Sequence, residues 1–306
     1  PYSLFELKEY EKAIPDFNKS IELGESASDL FYKRGTSKFY LKDYKSAFPD
    51  LDKAINTGTA DALAYDMPGY CRYDDKKFED AIGDYTTAIE KDAKLPIAFF
   101  HRGDAKFSLN NLPGAVEDYT QAITLGLKDP VLFNNRGKAY LNQENYAAAI
   151  PDFTTAISRV QQYTKAYENR GLAYFKTEKF EDASKDLRVV EKQVEKPESG
   201  LYRLLGDSYY NMKKSAAAME YYDKLVAAGV KDKDVFYRRA NMLMEQEEYA
   251  LAIADFENAQ KAGENSVQLY LSMGRAYISN EDNKSAIVAL NKAIELDPKN
   301  ADSYFN

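Results

Sequence analysis

His101 and Cys71 are the only histidine and the only cysteine in the chain, and they bound the chemistry open to it. A paired-histidine or cysteine-based metal centre needs more ligands of those types. One imidazole leaves little for acid–base work. Aspartates and glutamates are abundant but recur at even spacing and converge nowhere, and no phosphate-binding loop, nucleophile elbow or dinucleotide fingerprint occurs. The expectation is a segment that is not an enzyme, with no metal and no cofactor. Cys71 shares its slot with Ser37, Ala105, Ala139 and Ala173, so it reads as a buried, inert thiol.

The most suggestive spacing belongs to arginine and aspartate. Arg34, Arg102, Arg136, Arg170 and Arg239 are each followed sixteen residues later by Asp50, Asp118, Asp152, Asp186 and Asp255. Where the arginine becomes Leu205 or Met273, the aspartate has also gone, to Tyr221 and Ala289; only Pro68 with Asp84 breaks the association. Correlated loss predicts contact. A two-pronged, partly buried pair would fix how two segments cross, whereas two solvated charges would contribute about 0–1 kcal/mol.

These residues sit inside a repeat. Gly35, Gly69, Gly103, Gly137, Gly171, Gly206 and Gly274, with Ala240 in the remaining slot, follow one another at 34 residues, with one interval of 35. Four residues before each stands an aromatic (Phe31, Tyr65, Phe99, Phe133, Tyr167, Tyr202, Phe236, Tyr270); twelve after stands alanine, from Ala47 to Ala286. Sixteen after comes a large apolar residue: Leu51, Tyr85, Tyr119, Phe153, Leu187, Tyr222, Phe256 or Leu290. These offsets separate into two helical stripes joined by a polar turn, and only the next pair of helices can cover the apolar face each pair leaves open. Asp129–Pro130, Pro96 and Pro113 mark helix starts. Gly24, Gly58, Gly126, Gly229 and Gly263, with Pro298, mark ends. The extra residue predicts a longer turn at 195–199. Pro68 falls inside a first helix, where it either re-aims Asp66, Met67 and Tyr70 or is a tolerated defect, and Pro15, Pro49 and Pro151 predict mild bends in second helices.

The pattern resembles the tetratricopeptide repeat over essentially the whole chain, with Phe and Tyr where that family often has Trp. The resemblance implies an all-α, right-handed α-solenoid, a superhelix of stacked antiparallel helix pairs. The repeats are expected at 28–61, 62–95, 96–129, 130–163, 164–198, 199–232, 233–266 and 267–300. A partial repeat at 1–27 precedes them, with Pro1 in a glycine slot, and 301–306 begins another, with Tyr304 in the aromatic slot. Neither end resembles a capping repeat, so a longer parent protein is expected.

The same resemblance implies that first helices line a concave groove. Its lining would include Tyr32, Lys33, Thr36, Phe100, His101, Asp104, Asn134, Asn135, Lys138, Lys165, Glu168, Asn169, Leu172, Arg203, Asp207, Tyr237, Arg238, Asn241 and Arg275. The chaperone-tail clamp known in part of the family is not expected. From Asn134 it finds Lys138 and Asn169 but then Gly200 and Leu204 where cations belong, and from Phe100 it fails at Asp104. The function expected is a protein-interaction scaffold for a peptide or protein partner within a larger assembly. The alternatives are a permanent structural subunit and a regulatory arm of an enzyme whose catalytic domain lies outside this segment. Net charge is −8 with signs interspersed, which argues against nucleic acid. No run of 18 apolar residues exists to insert in a membrane. The Tyr, Lys and Asn content resembles bacterial repeat proteins, cytoplasmic or envelope-associated, and the sequence does not select a compartment.

Overall fold

Alternation of small and large residues at helical spacing produces helix after helix. The computed structural model describes residues 2–58 and 62–299; Pro1 and the expected start of a further repeat at 301–306 lie outside the described residues. The chain divides into two units. Unit 1, Pro1–Ala173, holds α1 (Tyr2–Glu6), α2 (Tyr10–Glu22), α3 (Ser28–Tyr40), α4 (Tyr44–Asn56), α5 (Ala62–Asp74), α6 (Phe78–Lys91), α7 (Pro96–Ser108), α8 (Leu112–Thr124), α9 (Pro130–Asn142), α10 (Tyr146–Arg159) and most of α11 (Thr164–Lys176). Unit 2, Tyr174–Asn306, holds the end of α11, then α12 (Phe180–Gln193), α13 (Ser199–Asn211), α14 (Ser215–Ala227), α15 (Lys233–Glu245), α16 (Tyr249–Lys261), α17 (Val267–Ser279) and α18 (Asn283–Leu296). Among the described residues every regular element is a helix.

Within unit 1 the hairpins α3–α4, α5–α6, α7–α8 and α9–α10 pack internally, and each second helix packs on the first helix of the following hairpin. Unit 2 repeats the scheme with α13–α14, α15–α16 and α17–α18. The contact inside a hairpin rests on the glycine slot. A Cβ at Gly137 would lie 2.8 Å from Phe153 Cε1, and one at Gly206 would lie 2.6 Å from Tyr222 Cε1. Removing one methyl lets a whole ring reach the neighbouring backbone. Phe153 and Tyr222 are fully buried there, each stabilising the hairpin by about 1.5–3 kcal/mol.

The turns inside hairpins have a regularity with no glycine behind it. Lys8, Lys42, Lys76, Asn110, Glu144, Glu178, Lys213, Glu247 and Glu281 all adopt φ between 57° and 63°. Lys42 N–H donates to Phe39 O at 2.9 Å and Asp43 N–H to Lys38 O at 3.0 Å, a Schellman closure of the first helix. Asp43, Asn111, Asn145 and Asp282 then cap the second helix by accepting from the amide three residues on, at 3.1–3.3 Å. Between hairpins, Gly24, Gly58, Gly126, Gly229 and Gly263 hold φ of 77–115°, strained for any side chain.

Two points of punctuation are settled by the helix bounds. The turn at 194–198 has five residues, one more than those at 92–95 and 160–163 that follow the fourteen-residue helices α6 and α10, so after the equally long α12 the extra residue falls in the turn. Pro68 does not break its helix: α5 runs unbroken from Ala62 to Asp74 with Pro68 buried in it. Asp66, Met67 and Tyr70 all have internal partners. Asp66 holds His101 at 2.9 Å, Met67 Sδ accepts from Thr36 Oγ1 at 3.5 Å, and the Tyr70 ring packs on Phe39 and Tyr44.

Candidate functional site: the first-helix face

Four of the arginine–aspartate combinations lie within a single unit, and in each the guanidinium grips both carboxylate oxygens. Arg34, Arg102, Arg136 and Arg239 donate from Nε at 2.6–2.9 Å and from Nη2 at 2.5–2.7 Å to Asp50, Asp118, Asp152 and Asp255. All four aspartates are buried. Arg170 and Asp186 fall in different units, and the pairing there stays an expectation.

Each guanidinium also has a third contact that sequence reasoning missed. Nη1 donates to the residue sixteen positions earlier, on the second helix of the preceding repeat. These acceptors are Asn18 (2.8 Å), Thr86 (3.2 Å), Thr120 (3.1 Å), Thr154 (3.0 Å, from Arg170) and Asp223 (3.0 Å). A second cation is missed as well: Lys38 and Lys106, one turn after the arginine, reach Asp50 at 2.7 Å and Asp118 at 2.8 Å.

That slot resolves the exception at Pro68. Arg72 stands one turn beyond Pro68 and bonds Asp84 Oδ1. Asp84 Oδ2 is buried without a partner. Burial pushes the Asp84 carboxyl up to about 6, Arg72 only partly offsetting it. Where Leu205 and Tyr221 replace the pair, aromatics fill the space: Tyr209 and Tyr221 stack at 5.7 Å and 6°, and Tyr221 donates to Glu191 at 2.9 Å.

The face presented by the first helices carries the residues expected to meet a partner. In unit 1, Asp66 on α5 holds His101 on α7 through Nδ1. Asp104 on α7 accepts from Tyr119 Oη at 2.7 Å and from Asn135 Nδ2 at 2.9 Å. Asn134 donates to Asn135 at 3.3 Å and accepts from Asn169 at 3.1 Å. Phe100 is buried against Tyr119 and His101. Lys33 lies 4.4 Å over the Tyr2 ring and near Asp29 at 3.5 Å; Tyr32 is half-buried. Lys138 and Lys165 are exposed, the first 5.3 Å from the Phe107 ring centre and the second 2.8 Å from Glu168.

In unit 2 the expected cations are tied into a knot around Asp207. Arg203 donates to it at 2.8 Å, Arg238 at 2.7 Å and Tyr222 Oη at 2.8 Å. Arg203 also meets Asp232 at 2.7 Å. Burial weighs against the Arg203 charge, yet the bonds to Asp207 and Asp232 raise its pKa above its ordinary value. Asn241 bonds the Tyr237 carbonyl at 2.9 Å, and Arg275 is exposed.

Electrostatics single out His101. Burial disfavours its charged form, but the carboxylate of Asp66, helped by Asp104, outweighs that and raises its pKa. Close by, Tyr85 Oη is buried with no partner, whereas the equivalent Tyr119 and Tyr222 bond Asp104 and Asp207. Tyr70 stands where those aspartates would be. Burial also pushes the Cys71 thiol up to about 12, which leaves it a poor nucleophile. Among the described residues, no group of three or more His, Cys, Asp or Glu could hold a metal ion, and no helix is long and apolar enough to cross a membrane.

Comparison with known proteins gives one consistent result. A family model described as TPR repeat matches residues 103–144 and 274–306, and one described as tetratricopeptide repeat matches 134–195, 169–233 and 203–267. A stretch of 113 residues is 26% identical to human DnaJ homolog subfamily C member 7, covering 37% of this chain and 23% of that protein, so the match spans under a quarter of the relative's length. The C-terminal part of a TPR repeat-containing protein from Cytophaga hutchinsonii is similar in structure, with a TM-score of 0.50 at 17% identity over 99% of this chain and 96% of that one. A repeat protein from Parabacteroides merdae gives 0.52 at 19% identity over 81% and 98%. The structure of Naa15/Naa10 bound to HypK gives 0.54 at 14% over 90% and 43%.

Proposed function

The chain belongs to the tetratricopeptide repeat family, and from that premise we propose that it is a protein-interaction scaffold whose first-helix face receives an extended segment of a partner protein. The observation that carries this reading is the prealigned row of polar groups on successive first helices of unit 1. Asp104, Asn135, Asn134 and Asn169 fix one another through hydrogen bonds across α7, α9 and α11. Groups already held in place lose little freedom on binding, so their bonds to a peptide backbone are favoured. The exposed Lys138, on the same helix as Asn135, adds a cation for a carboxylate. Protein assembly is also the setting of one similar fold, which is seen joined to two other chains.

The test is affinity capture with mass spectrometry, using the wild-type chain and Lys138→Glu side by side. Lys138 is the cleaner site for charge reversal, because Arg203 is committed to Asp207 and Asp232. Loss of a defined set of captured proteins on reversal is the expected result. Capture of the same set by both chains would remove the first-helix face from the mechanism.

A further inference from the structure

One repeat keeps its second-helix aspartate but has lost the arginine that holds it. In sibling repeats both carboxylate oxygens are bonded from sixteen residues earlier, Asp118 by Arg102 and Asp152 by Arg136. In the hairpin α5–α6 that arginine slot holds Pro68, and Arg72 reaches Asp84 from one turn further along, bonding Oδ1. Oδ2 is buried with no partner. A carboxylate taken out of water with one oxygen unbonded is an unfavourable place for a full negative charge.

The groups around Asp84 add to the imbalance. Asp52 on α4 stands in the slot that accepts an arginine's third bond in sibling repeats, and with Asp80 on α6 itself it brings further negative charge toward the carboxylate. From α5, Arg72 offsets part of this, and the Cys71 thiol nearby is uncharged. From α7, Arg102 is turned to Asp118 and Thr86. The Asp84 side chain is 19% exposed, against 3% for Asp118 and 6% for Asp152, so a proton can reach it.

We propose that Asp84 is a proton-operated joint in the stack: uptake of one proton firms the α5–α6 hairpin, and its loss toward neutral pH loosens it. Protonation removes the charge that Arg72 alone does not balance. Burial supports the same direction, placing the Asp84 pKa at about 6, above its ordinary 3.8. The resulting stability is present in full below 3.8 and is lost as pH rises through about 6. His101 acts in a separate window, above 6.5. The same hairpin carries Asp66, which holds His101 on the first-helix face, so the joint bears on that face whatever partner it receives.

Cys71 is a built-in reporter of this joint. It is the single thiol of the chain, 5% exposed, and it packs on Ala47 and Leu51 of α4. The test follows its labelling by dithiodipyridine, which thiols attack even in mild acid, in the full chain from about pH 4 to about pH 6.5. Each rate is divided by that of the urea-unfolded chain at the same pH, so that it reads local opening. The reference is Asp84→Asn, which keeps the shape and removes the charge. The ratio of wild type to this variant should climb from about one at the acid end toward roughly 100 as pH passes the folded pKa, tenfold for each pH unit between the two pKa values. Pro68→Arg supplies the sibling guanidinium and should suppress the climb, and it serves as the reference if asparagine disturbs folding. A ratio that stays flat with pH, or a climb that persists in Pro68→Arg, would overturn the assignment.

Discussion

Arg136 and Asp152 offer a direct measure of what the recurring charged pair does. Two charge-assisted bonds of 2.8 and 2.7 Å join them, and their side chains are 18% and 6% exposed. Asp152→Ala leaves a largely desolvated guanidinium with Thr120 as its remaining acceptor. Arg136→Met strands a buried carboxylate instead. Each single change should cost about 2.5 kcal/mol, below the 3–5 kcal/mol of a fully buried pair because the guanidinium keeps some water. The double change reproduces the Met273/Ala289 combination that the chain already carries. It removes both charges together and should cost only about 2 kcal/mol, mostly from the smaller volume of alanine. The expected coupling is therefore about 3 kcal/mol. Urea unfolding followed at 222 nm gives the energies, and amide exchange in α9 and α10 shows whether the loss is local. If the two single losses simply add up to the double within about 0.5 kcal/mol, the charges act as independent solvated groups and the reasoning fails.

The single imidazole makes pH dependence unusually easy to read. Because Asp66 raises the His101 pKa when folded, the stability from that pair is present in full below the unfolded value near 6.5. It is lost as pH rises through the folded value. His101→Gln should flatten that decline, whose slope is at most about 1.4 kcal/mol per pH unit for one proton; an imidazole signal titrating at or below 6.5 contradicts the pairing. Glu144 holds φ at 59° with no glycine to relieve it. Glu144→Gly should raise the urea midpoint by the equivalent of about 0.5–1 kcal/mol, and a midpoint that falls instead would show that the turn is unstrained.

Much of the helical framework is legible in the sequence because its steric demands recur with the same residue types. Gly137 must face Phe153, and the same need returns at Gly206 with Tyr222, so the period stands out. The sixteen-residue link between arginine and aspartate is visible for a related reason: the two are lost together. Other contacts leave weaker traces. The third acceptor changes from Asn18 to Thr86 to Asp223, and any small polar group serves, so no single residue type marks the slot. Arg72 reaches Asp84 from a shifted turn, which an alignment of fixed slots hides. The left-handed turn residues are Lys, Glu or Asn with nothing in common but exposure to water. Asp66 and His101 meet across two repeats in slots whose identities vary, so neither residue signals the other. On the first-helix face, sequence could name residues but not their commitments. Arg203 and Arg238 prove to be bound to Asp207, and Lys138 is left exposed.

The backward reach of each guanidinium gives the stack a direction. Arg136 completes its bonding with Thr120, which belongs to the module on its amino side, while no arginine in this set reaches forward for that third bond. Melting a module therefore leaves a guanidinium short of an acceptor in the one that follows and only a neutral hydroxyl short of a donor in the one before. The charged side of each seam thus always faces the amino end, and a growing chain threaded out amino end first finds that acceptor already laid down.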